Sequence, residues 1–494
     1  MNAAAPSLMP LWSLREDCGF RSVPGDPGAG VVSTPWEEIR LDARNPAVGR
    51  ALERMTYGPV SLDNVLPGFS EGTGPAEERP QYDALDAVLG RLQHVVVRTL
   101  ALAGGTDHVT VVPIARRARF TPRRPDAHAV HRLSRFVTLT AGPEGWIAES
   151  PLTAHRVVLH TPQAGWLVSC YARPTAVGEV SRLLGLPVAE TSLVVGYLEA
   201  AGMLVPGTPR ADAPDTYSFA EDEDTVLASW SPRELLVHQR SRPGAHDEPV
   251  GEYGDPVRPG GPARPRDNDG IAVAPAGRAP VSAAAPAIPL PVPLPAGAGA
   301  GRREPALSEV LAARRSERPD DGRPLSLDQL GELLHRSAAE RPAGGRPYPS
   351  LGARYPLELY LTVSGGGDLK RGIYHYDPHG HRLSPLETAP DLVDELLAEA
   401  AGNAGLSQEP SVLISMTARY RRTAGAYRGT AYSALLKEVG ALQQTLYLVA
   451  TAMGLGPCAL AFGDTETAAR AFGLDWRAEP GVGEFVVSAF PGGV

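Results

Sequence analysis

The sequence predicts an α+β protein in which two N-terminal segments and a larger C-terminal segment are joined by a linker. Apolar residues at helical spacing and short β-branched runs occur in both halves of the chain. Residues 256–302 are dominated by Pro, Gly and Ala, a composition that favours extended chain over a packed core. The length of 494 residues favours about three domains. We therefore expect domains at 1–125, 126–225 and 303–494, with 226–302 as a connecting segment and linker.

Composition and charge narrow the classes of function. A net charge of −9 gives no overall attraction to nucleic acid or to an anionic membrane. No apolar run approaches the ~18 residues of a membrane span, and the first residues do not resemble a signal peptide, so we expect a cytoplasmic protein. Cys18, Cys170 and Cys458 are too few and too scattered for a disulfide framework or a zinc site, and no metal is predicted.

The two N-terminal segments have an order of elements typical of winged helices. In the second segment a strand pair, two helices and a further strand are expected at 136–139, 146–150, 174–184, 187–201 and 203–205. Thr175 is the expected cap of the first of these helices. Residues 37–120 repeat the order loosely, with a helix at 82–92 and a hairpin between 95 and 112.

Winged helices bind DNA or peptides, or serve only as packing domains. The second helix of the later segment carries Glu190 and Glu199 and no Lys or Arg, which argues against phosphate contacts. A peptide that adds a strand to an exposed edge fits this charge better. His238, before the linker, is a candidate base because free histidine titrates near neutrality, but a lone histidine outside the C-terminal domain is more often structural.

The linker and the C-terminal segment carry clear local patterns. Apolar residues alternate with proline over 284–295, which suggests that this stretch lies along the surface of another domain. Ser326 is the expected N-cap of the next helix, and strands are expected at 357–363 and 372–377. A long, largely buried helix is predicted from Tyr432 to Met453, where Gly454 would follow as its C-cap.

Residues 311–318 combine a short apolar helix with three guanidinium groups and a hydroxyl. Arginine offers forked, permanently charged donors that match phosphate oxygens, so the run suits a phosphate with a polyol attached. The alternative is a surface helix with basic residues at its C-terminus, where the helix dipole favours them.

An ordered set of motifs follows this run, at 324–334, 346–356, 372–377 and 442–456. Together they resemble the SagB-type branch of the nitroreductase superfamily, the FMN-dependent azoline dehydrogenases of ribosomal-peptide biosynthesis. The resemblance is close over 303–494 and looser over the N-terminal half. It implies an α+β protein in which a nitroreductase-like FMN domain follows two winged-helix-like peptide-clamp domains. It also implies a homodimer through the predicted helix of residues 432–453.

The resemblance further implies a reaction and its partners. Thiazolines, or oxazolines, on a precursor peptide with a leader would be oxidised to azoles, as in thiopeptide or linear azole-peptide pathways. The hydride would pass to flavin N5 and O2 would reoxidise the flavin. A cyclodehydratase of the YcaO type would be the partner that supplies the azoline.

Site residues follow from the same resemblance. Arg314 would hold the FMN phosphate or ribityl end, Ser316 and Arg318 would face the pyrimidine edge, and Arg315 belongs to the same cluster. The remaining expected cofactor contacts are Ser350, Gly352, Gln444, Gly454, Gly456, Pro457 and Cys458.

The chain departs from the family at the expected catalytic pair. The family has Lys-Tyr before the long helix and a second tyrosine five residues later, whereas this chain has Ala426, Tyr427 and Tyr432. A free tyrosine has a pKa of about 10, so as a base it needs a nearby cation, for example Arg428, or the flavin. Our leading hypothesis is that tyrosine acts alone. The alternatives are that Arg421 or His375 shares the work, that activity is lost, or that Tyr427 only packs.

Two other functions remain open at this point. One is an NAD(P)H-dependent nitroreductase or quinone reductase on the same fold. The other is a non-catalytic scaffold that delivers peptide to the cyclodehydratase, which would agree with the missing lysine.

Overall fold

In the computed structural model the chain forms two compact units, residues 1–247 and 248–494. The structure describes residues 8–247 except 71, 74, 76, 78, 212, 214, 215 and 243, followed by 286–293, 303–318, 323–424, 427 and 429–490. Two units therefore take the place of the four segments expected from the sequence.

The first unit is a mixed α/β structure. Its strands are β1 (Leu8–Leu14), β2 (Gly19–Val23), β3 (Asp26–Ser33), β4 (Glu38–Asp42), β5 (Val96–Leu102), β6 (Asp107–Pro113), β7 (Val130–Leu133), β8 (Thr138–Gly142), β9 (Gly145–Glu149), β10 (His155–Leu159), β11 (Thr175–Ala176), β12 (Leu204–Pro206), β13 (Thr208–Pro209) and β14 (Tyr217–Ser218). Its helices are α1 (Pro46–Tyr57), α2 (Arg79–Arg91), α3 (Pro162–Cys170), α4 (Val177–Leu184), α5 (Val188–Ala200), α6 (Ala220–Glu223) and α7 (Pro232–Arg240).

One antiparallel sheet, in the order β1-β5-β6-β10-β9-β8, takes strands from both predicted N-terminal domains. The two sets of strands meet where β6 pairs with β10, with Val111 opposite Val157. The domain boundary expected between residues 125 and 126 therefore lies inside one unit. The reason is that an apolar strand from before this boundary, β6, pairs with an apolar strand from after it, β10.

The elements expected between 126 and 225 occur in the predicted order, although other elements, including β10 and α3, lie among them. The hairpin β8–β9 belongs to the six-stranded sheet, whereas β12 pairs with β7. The prediction for Thr175 is wrong: α4 begins after Ala176, and the Thr175 hydroxyl donates to the carbonyls of Cys170 and Arg173 instead.

The stretch after residue 225, expected to be connecting chain, is part of the first unit up to residue 247. Arg240 on α7 forms an ion pair with Glu149 at 2.9 Å. Asp247 pairs with both Arg15 and Arg156 at 3.2 Å. These partly buried charges fix the segment to the six-stranded sheet. His238 lies exposed on α7, 5.7 Å from the Trp230 ring.

The second unit is built on a seven-stranded antiparallel sheet in the order β15-β18-β17-β16-β19-β21-β20. Its strands are β15 (Ile288–Pro289), β16 (Leu357–Val363), β17 (Gly372–Asp377), β18 (Arg382–Pro385), β19 (Val412–Ala418), β20 (Leu455–Leu460) and β21 (Gly481–Ala489). Its helices are α8 (Leu307–Ala313), α9 (Leu327–Ala338), α10 (Pro390–Ala404), α11 (Tyr420–Ala424), α12 (Ala431–Met453) and α13 (Thr465–Phe472).

Helices cover both faces of this sheet because its strands are apolar on both faces. Leu359 and Leu361 of β16 pack with α9 and α12 on one face, whereas Tyr360 packs with α10 and α13 on the other. The predicted cap of α9 is confirmed: Ser326 accepts the Gln329 N–H, and the Gln329 side chain accepts the Ser326 N–H. Within the described residues, no helix is long and apolar enough to cross a membrane.

The described part of the predicted linker lies on this sheet. Ile288 pairs with Leu383 of β18, and the Leu290 N–H donates to the His381 carbonyl at 3.0 Å. Leu290 is buried in the core that contains α9 and α12. Residues 286–293 thus lie along the edge of the sheet, with β15 as a short edge strand, in agreement with their alternation of apolar residues and proline.

The seating of this edge strand predicts opposite effects for two helical glycines. A Cβ at Gly331 of α9 would lie 2.6 Å from the Pro291 carbonyl oxygen, whereas a Cβ at Gly402 of α10 would meet no described atom within 4 Å. We expect Gly331→Ala to lower the free energy of unfolding by about 1–3 kcal/mol. The matched control Gly402→Ala should raise it by about 0.5–1 kcal/mol. Denaturant unfolding measures both, and an equal gain in the two variants would show that residues 286–293 do not pack on α9.

Candidate functional site

The arginine-rich run at the end of α8 is positioned by a single tyrosine of α12. The Ser316 hydroxyl lies 2.7 Å from the Tyr447 hydroxyl, and the Arg314 guanidinium lies over the Tyr447 ring, 5.4 Å from its centroid. The Tyr447 hydroxyl also accepts the Ala459 N–H of β20 at 2.7 Å. One buried phenol therefore joins the run to β20.

A backbone contact completes this connection. The Glu317 N–H donates to the Pro457 carbonyl at 2.8 Å, so residues 314–318 run beside the start of β20. Gly454 is the left-handed C-cap of α12, with φ of 70°, as predicted. Gly456 and Pro457 follow within β20. The structure thus brings two of the predicted groups of site residues together.

The charges at this cluster suit an anion. Arg315 forms an ion pair with Glu317, while Arg318 is exposed and Arg314 is half-buried. Ser316 is accessible as well, so a guanidinium and a hydroxyl can both reach a ligand. A phosphate that carries a polyol fits this set of donors.

Two further predicted contacts at this end, Cys458 and Gln444, differ in the exposure of their side chains. The Cys458 side chain is buried in the core beneath α10 and α13, on the face of the sheet opposite α12, so only its backbone is left for a ligand. Gln444 is exposed on α12, and no described residue hydrogen-bonds its side chain.

The second predicted contact, Ser350 and Gly352, lies at the N-terminal half of α12. The Leu351 N–H between them donates to the Glu438 carboxylate at 2.9 Å. Gly352 has a φ of 60°, which explains why a glycine is needed in this turn. Ser350 accepts the Tyr355 N–H at 2.8 Å, which closes the turn.

These two clusters lie on opposite faces of α12. Glu438 and Tyr447 are nine residues apart, which corresponds to about 13.5 Å along the helix axis and to about half a turn around it. The resemblance assigns both groups of residues to one cofactor. Within a single chain, however, they lie on opposite sides of this helix.

The candidate catalytic tyrosines are on the connection from α11 to α12. Tyr427 is only 5% exposed, and its N–H donates to the Thr423 carbonyl. Tyr432 stands on the first turn of α12 and is 45% exposed. Ala426 and Arg428 lie outside the described residues. The structure thus separates a buried tyrosine from an accessible one.

Several arginines lie on or beside α11, the helix before Tyr427. Arg422 donates to the Arg354 carbonyl, and Arg354 donates back to the Arg422 carbonyl at 3.1 Å. Burial, together with the neighbouring Arg419, lowers the pKa of Arg422. Arg419 lies 3.4 Å from the buried Glu358 carboxylate. This region is therefore rich in positive charge.

The two other residues considered as bases, His375 and Arg421, differ from each other in exposure. His375 is buried in the sheet, where it forms a 3.0 Å contact with Glu358. Arg421 is exposed on α11. His375 is thus part of the internal packing of β16 and β17.

Sequence reasoning missed Tyr447 and Glu438, the two α12 residues that hold the clusters in place. Both lie among apolar residues at helical spacing, so the pattern indicates only a buried position. A signal was present in Glu438, because a carboxyl at a core position of a helix has to find a polar partner.

Comparisons with known proteins match the two units separately. Residues 311–490 match the profile described as the nitroreductase family, and residues 131–247 match the profile described as cyanobactin oxidase ThcOx. The chain is 34% identical over 162 residues to MJ1384 of Methanocaldococcus jannaschii, which carries the name nitroreductase, and this covers 32% of the chain and 81% of that protein.

Two further relatives carry names that refer to peptide processing. The chain is 27% identical over 141 residues to the microcin B17-processing protein McbC of Escherichia coli, across 27% of the chain and 52% of McbC. It is 30% identical over 144 residues to the trifolitoxin-processing protein TfxB of Rhizobium leguminosarum, across 26% of the chain and 38% of TfxB. The chain thus spans about half of McbC and less of TfxB.

Proposed function

Because the chain belongs to the nitroreductase family, we propose that it is an FMN-dependent dehydrogenase that oxidises thiazolines or oxazolines to azoles on a ribosomally made peptide. The observation that carries the flavin assignment is the contact of Ser316 with Tyr447, with Arg314 beside it. The peptide assignment is supported by the match of residues 131–247 and by the names of McbC and TfxB.

The residues at the end of α8 fit a flavin mononucleotide. Arg314 would hold the phosphate, since its guanidinium lies over the ring of Tyr447, whose hydroxyl contacts the accessible Ser316, and it forms no ion pair with a carboxylate of the described residues. Ser316 and Arg318 would bond the polar edge of the ring system. The backbone of Gly456 and Pro457 would pass the ring, where the small glycine allows close approach.

The reaction removes one proton and one hydride from the azoline ring. FMN, when bound, supplies the hydride acceptor. The chain has to hold the peptide and accept the proton, and we assign the proton to Tyr427. Arg422, five residues before Tyr427 on α11, would supply a positive charge near this connection, and a nearby cation favours the charged form of a phenol. His375 suits this role less well because it is buried beside Glu358.

A second copy of the chain would complete the cofactor site. The clusters at Tyr447 and Glu438 face opposite sides of α12, so Ser350 and Gly352 would serve the flavin of a partner subunit. Along α12, Tyr432 and Leu436 are 45% and 46% exposed, and Gly440 faces open space. An exposed apolar stripe that ends in a small residue suits close packing against the same helix of another copy.

The proposed function also requires a peptide substrate and a second enzyme that forms the azoline. An azoline has to be formed by cyclodehydration before it can be oxidised, so a cyclodehydratase is the expected partner. The first unit, which contains the segment matched to ThcOx, would bind the precursor peptide.

Two other functions have some support. The similarity to MJ1384 favours a reductase that takes hydride from NAD(P)H and passes it to a nitro compound or quinone. A scaffold that binds peptide without oxidising it would fit the replacement of the family lysine by Ala426. Oxidation of an azoline peptide without added nicotinamide separates the dehydrogenase from both.

Arg314→Ala should weaken FMN binding, because it removes a charge-assisted contact of about 1.5–3 kcal/mol. The dissociation constant should then rise roughly 10- to 150-fold. Fluorescence titration of the FMN-depleted protein measures it. Arg303→Ala is the matched control, since Arg303 is an exposed arginine in an ion pair with Glu309, near the other end of α8. Equal affinity in wild type and Arg314→Ala would refute the phosphate assignment.

Tyr427→Phe should lower the rate of azole formation by ~10²–10⁴-fold while FMN occupancy and peptide affinity stay near those of wild type, because only a hydroxyl is lost. Mass spectrometry follows the loss of two hydrogens from each ring. Tyr420→Phe, on α11, is the control and should remain active.

Full azole formation by Tyr427→Phe would mean that Tyr427 only packs and that the base lies elsewhere. Tight binding of an azoline peptide by wild type without turnover would support the scaffold. Ala426→Lys, which restores the family pair, tests whether the rate rises.

Leu436→Glu should convert a dimer to monomers and release FMN, because it places a charge in the proposed α12 interface. Light scattering gives the mass and absorbance gives the flavin content. The control Phe462→Glu changes an exposed aromatic residue before α13 and should leave both unchanged. A wild-type monomer that retains FMN would rule out the shared site.

A further inference from the structure

The turn from Ser350 to Tyr355 has a backbone conformation that most side chains avoid. Gly352, Ala353 and Tyr355 have φ values of 60°, 52° and 46°. For Ala353 and Tyr355 this left-handed region brings the Cβ atom close to the following carbonyl. Such conformations persist only where the surrounding structure holds them, and they concentrate at functional sites.

The two ends of the turn are held by different contacts. At its C-terminal end, Arg354 and Arg422 exchange hydrogen bonds with each other's carbonyl groups. At its N-terminal end, the Leu351 N–H donates to the Glu438 carboxyl at 2.9 Å. Ser350 and Gly352, the proposed flavin contacts, are at the end that Glu438 holds.

Glu438 is an unfavourable residue for packing alone. It is 4% exposed on α12, and its Oε2 atom is buried with no hydrogen-bond partner among the residues that the structure describes. Burial raises the pKa of its carboxyl. An apolar side chain at this position would avoid the cost of burying a carboxyl, so the bond to the turn is what distinguishes Glu438.

We infer that Glu438 is a positioning residue for the cofactor: it holds the strained turn that presents Ser350 and Gly352 and does not itself touch the flavin. The inference rests on the proposed FMN site. The acceptor oxygen is the feature that matters, since the Leu351 N–H needs an acceptor at this distance and orientation.

The full-length variants Glu438→Ala, Glu438→Gln and Glu438→Asp test this role. Glu438→Ala should weaken FMN binding at least about tenfold and alter the visible spectrum of the bound flavin, because the Leu351 N–H of the turn loses its hydrogen-bond acceptor. Glu438→Gln keeps an acceptor oxygen at the same reach and should bind FMN within about threefold of wild type. Glu438→Asp is too short to reach Leu351 and should resemble Glu438→Ala.

A control and a measurement without cofactor separate positioning from general stability. Glu399 of α10 accepts the Asp464 N–H at 2.9 Å, so Glu399→Ala removes the same kind of bond elsewhere in the unit. It should leave FMN affinity and spectrum unchanged. Amide exchange of residues 350–355 in the FMN-free protein should be faster in Glu438→Ala and near wild type in Glu438→Gln.

Two results would overturn the inference. One is a Glu438→Ala protein with wild-type FMN affinity, spectrum and exchange. The other is a Glu438→Gln protein as impaired as Glu438→Asp, a comparison that also decides the question if Glu438→Ala does not fold. Failure of wild type to take up FMN would instead remove the proposed function, and the amide exchange of residues 350–355 would still report whether Glu438 holds the turn.

Discussion

The arrangement of the second unit depends on hydrogen bonds that buried polar side chains of α12 form with residues outside this helix. A helix satisfies its own backbone, so a phenol or carboxyl that it buries has to bond a loop or a strand. Tyr447 bonds the end of α8 and β20, and Glu438 bonds the turn before β16. The loops that would form the site are therefore held by α12, and their positions follow from the packing of this helix.

Local signals in the sequence predicted local structure well. The spacing of apolar residues predicted α12 to within one residue, and Ser326, as the expected N-cap, predicted the start of α9. The pairing of β6 with β10 was not predictable in this way, because strand pairing between distant segments leaves no periodic trace in either one. For the same reason two expected N-terminal domains proved to share a sheet. Strands β1 to β4 also escaped prediction, since their alternation is weak.

In the candidate site, too, local motifs were predictable from the sequence and the contacts of individual side chains were not. The residues at 314–318 and 454–458 form recognisable motifs, and the structure brings these two groups together. The side-chain direction of Cys458 depends on the alternation of β20, which begins directly after the C-cap of α12, and a motif does not contain that information. The roles of Tyr447 and Glu438 were not predicted, because a helical pattern indicates that a residue is buried but not which group a buried polar side chain bonds.

The proline-rich strand β15 has a consequence for how the protein behaves at high concentration. Without it, β18 would be the last strand of the sheet and would present unpaired N–H and carbonyl groups to any other chain. Pro289 and Pro291 have no N–H to donate, so the segment that covers β18 is a poor template for a further strand. Pro289 and Pro291 thus make this edge less able to pair with another chain, which is the contact through which sheets aggregate.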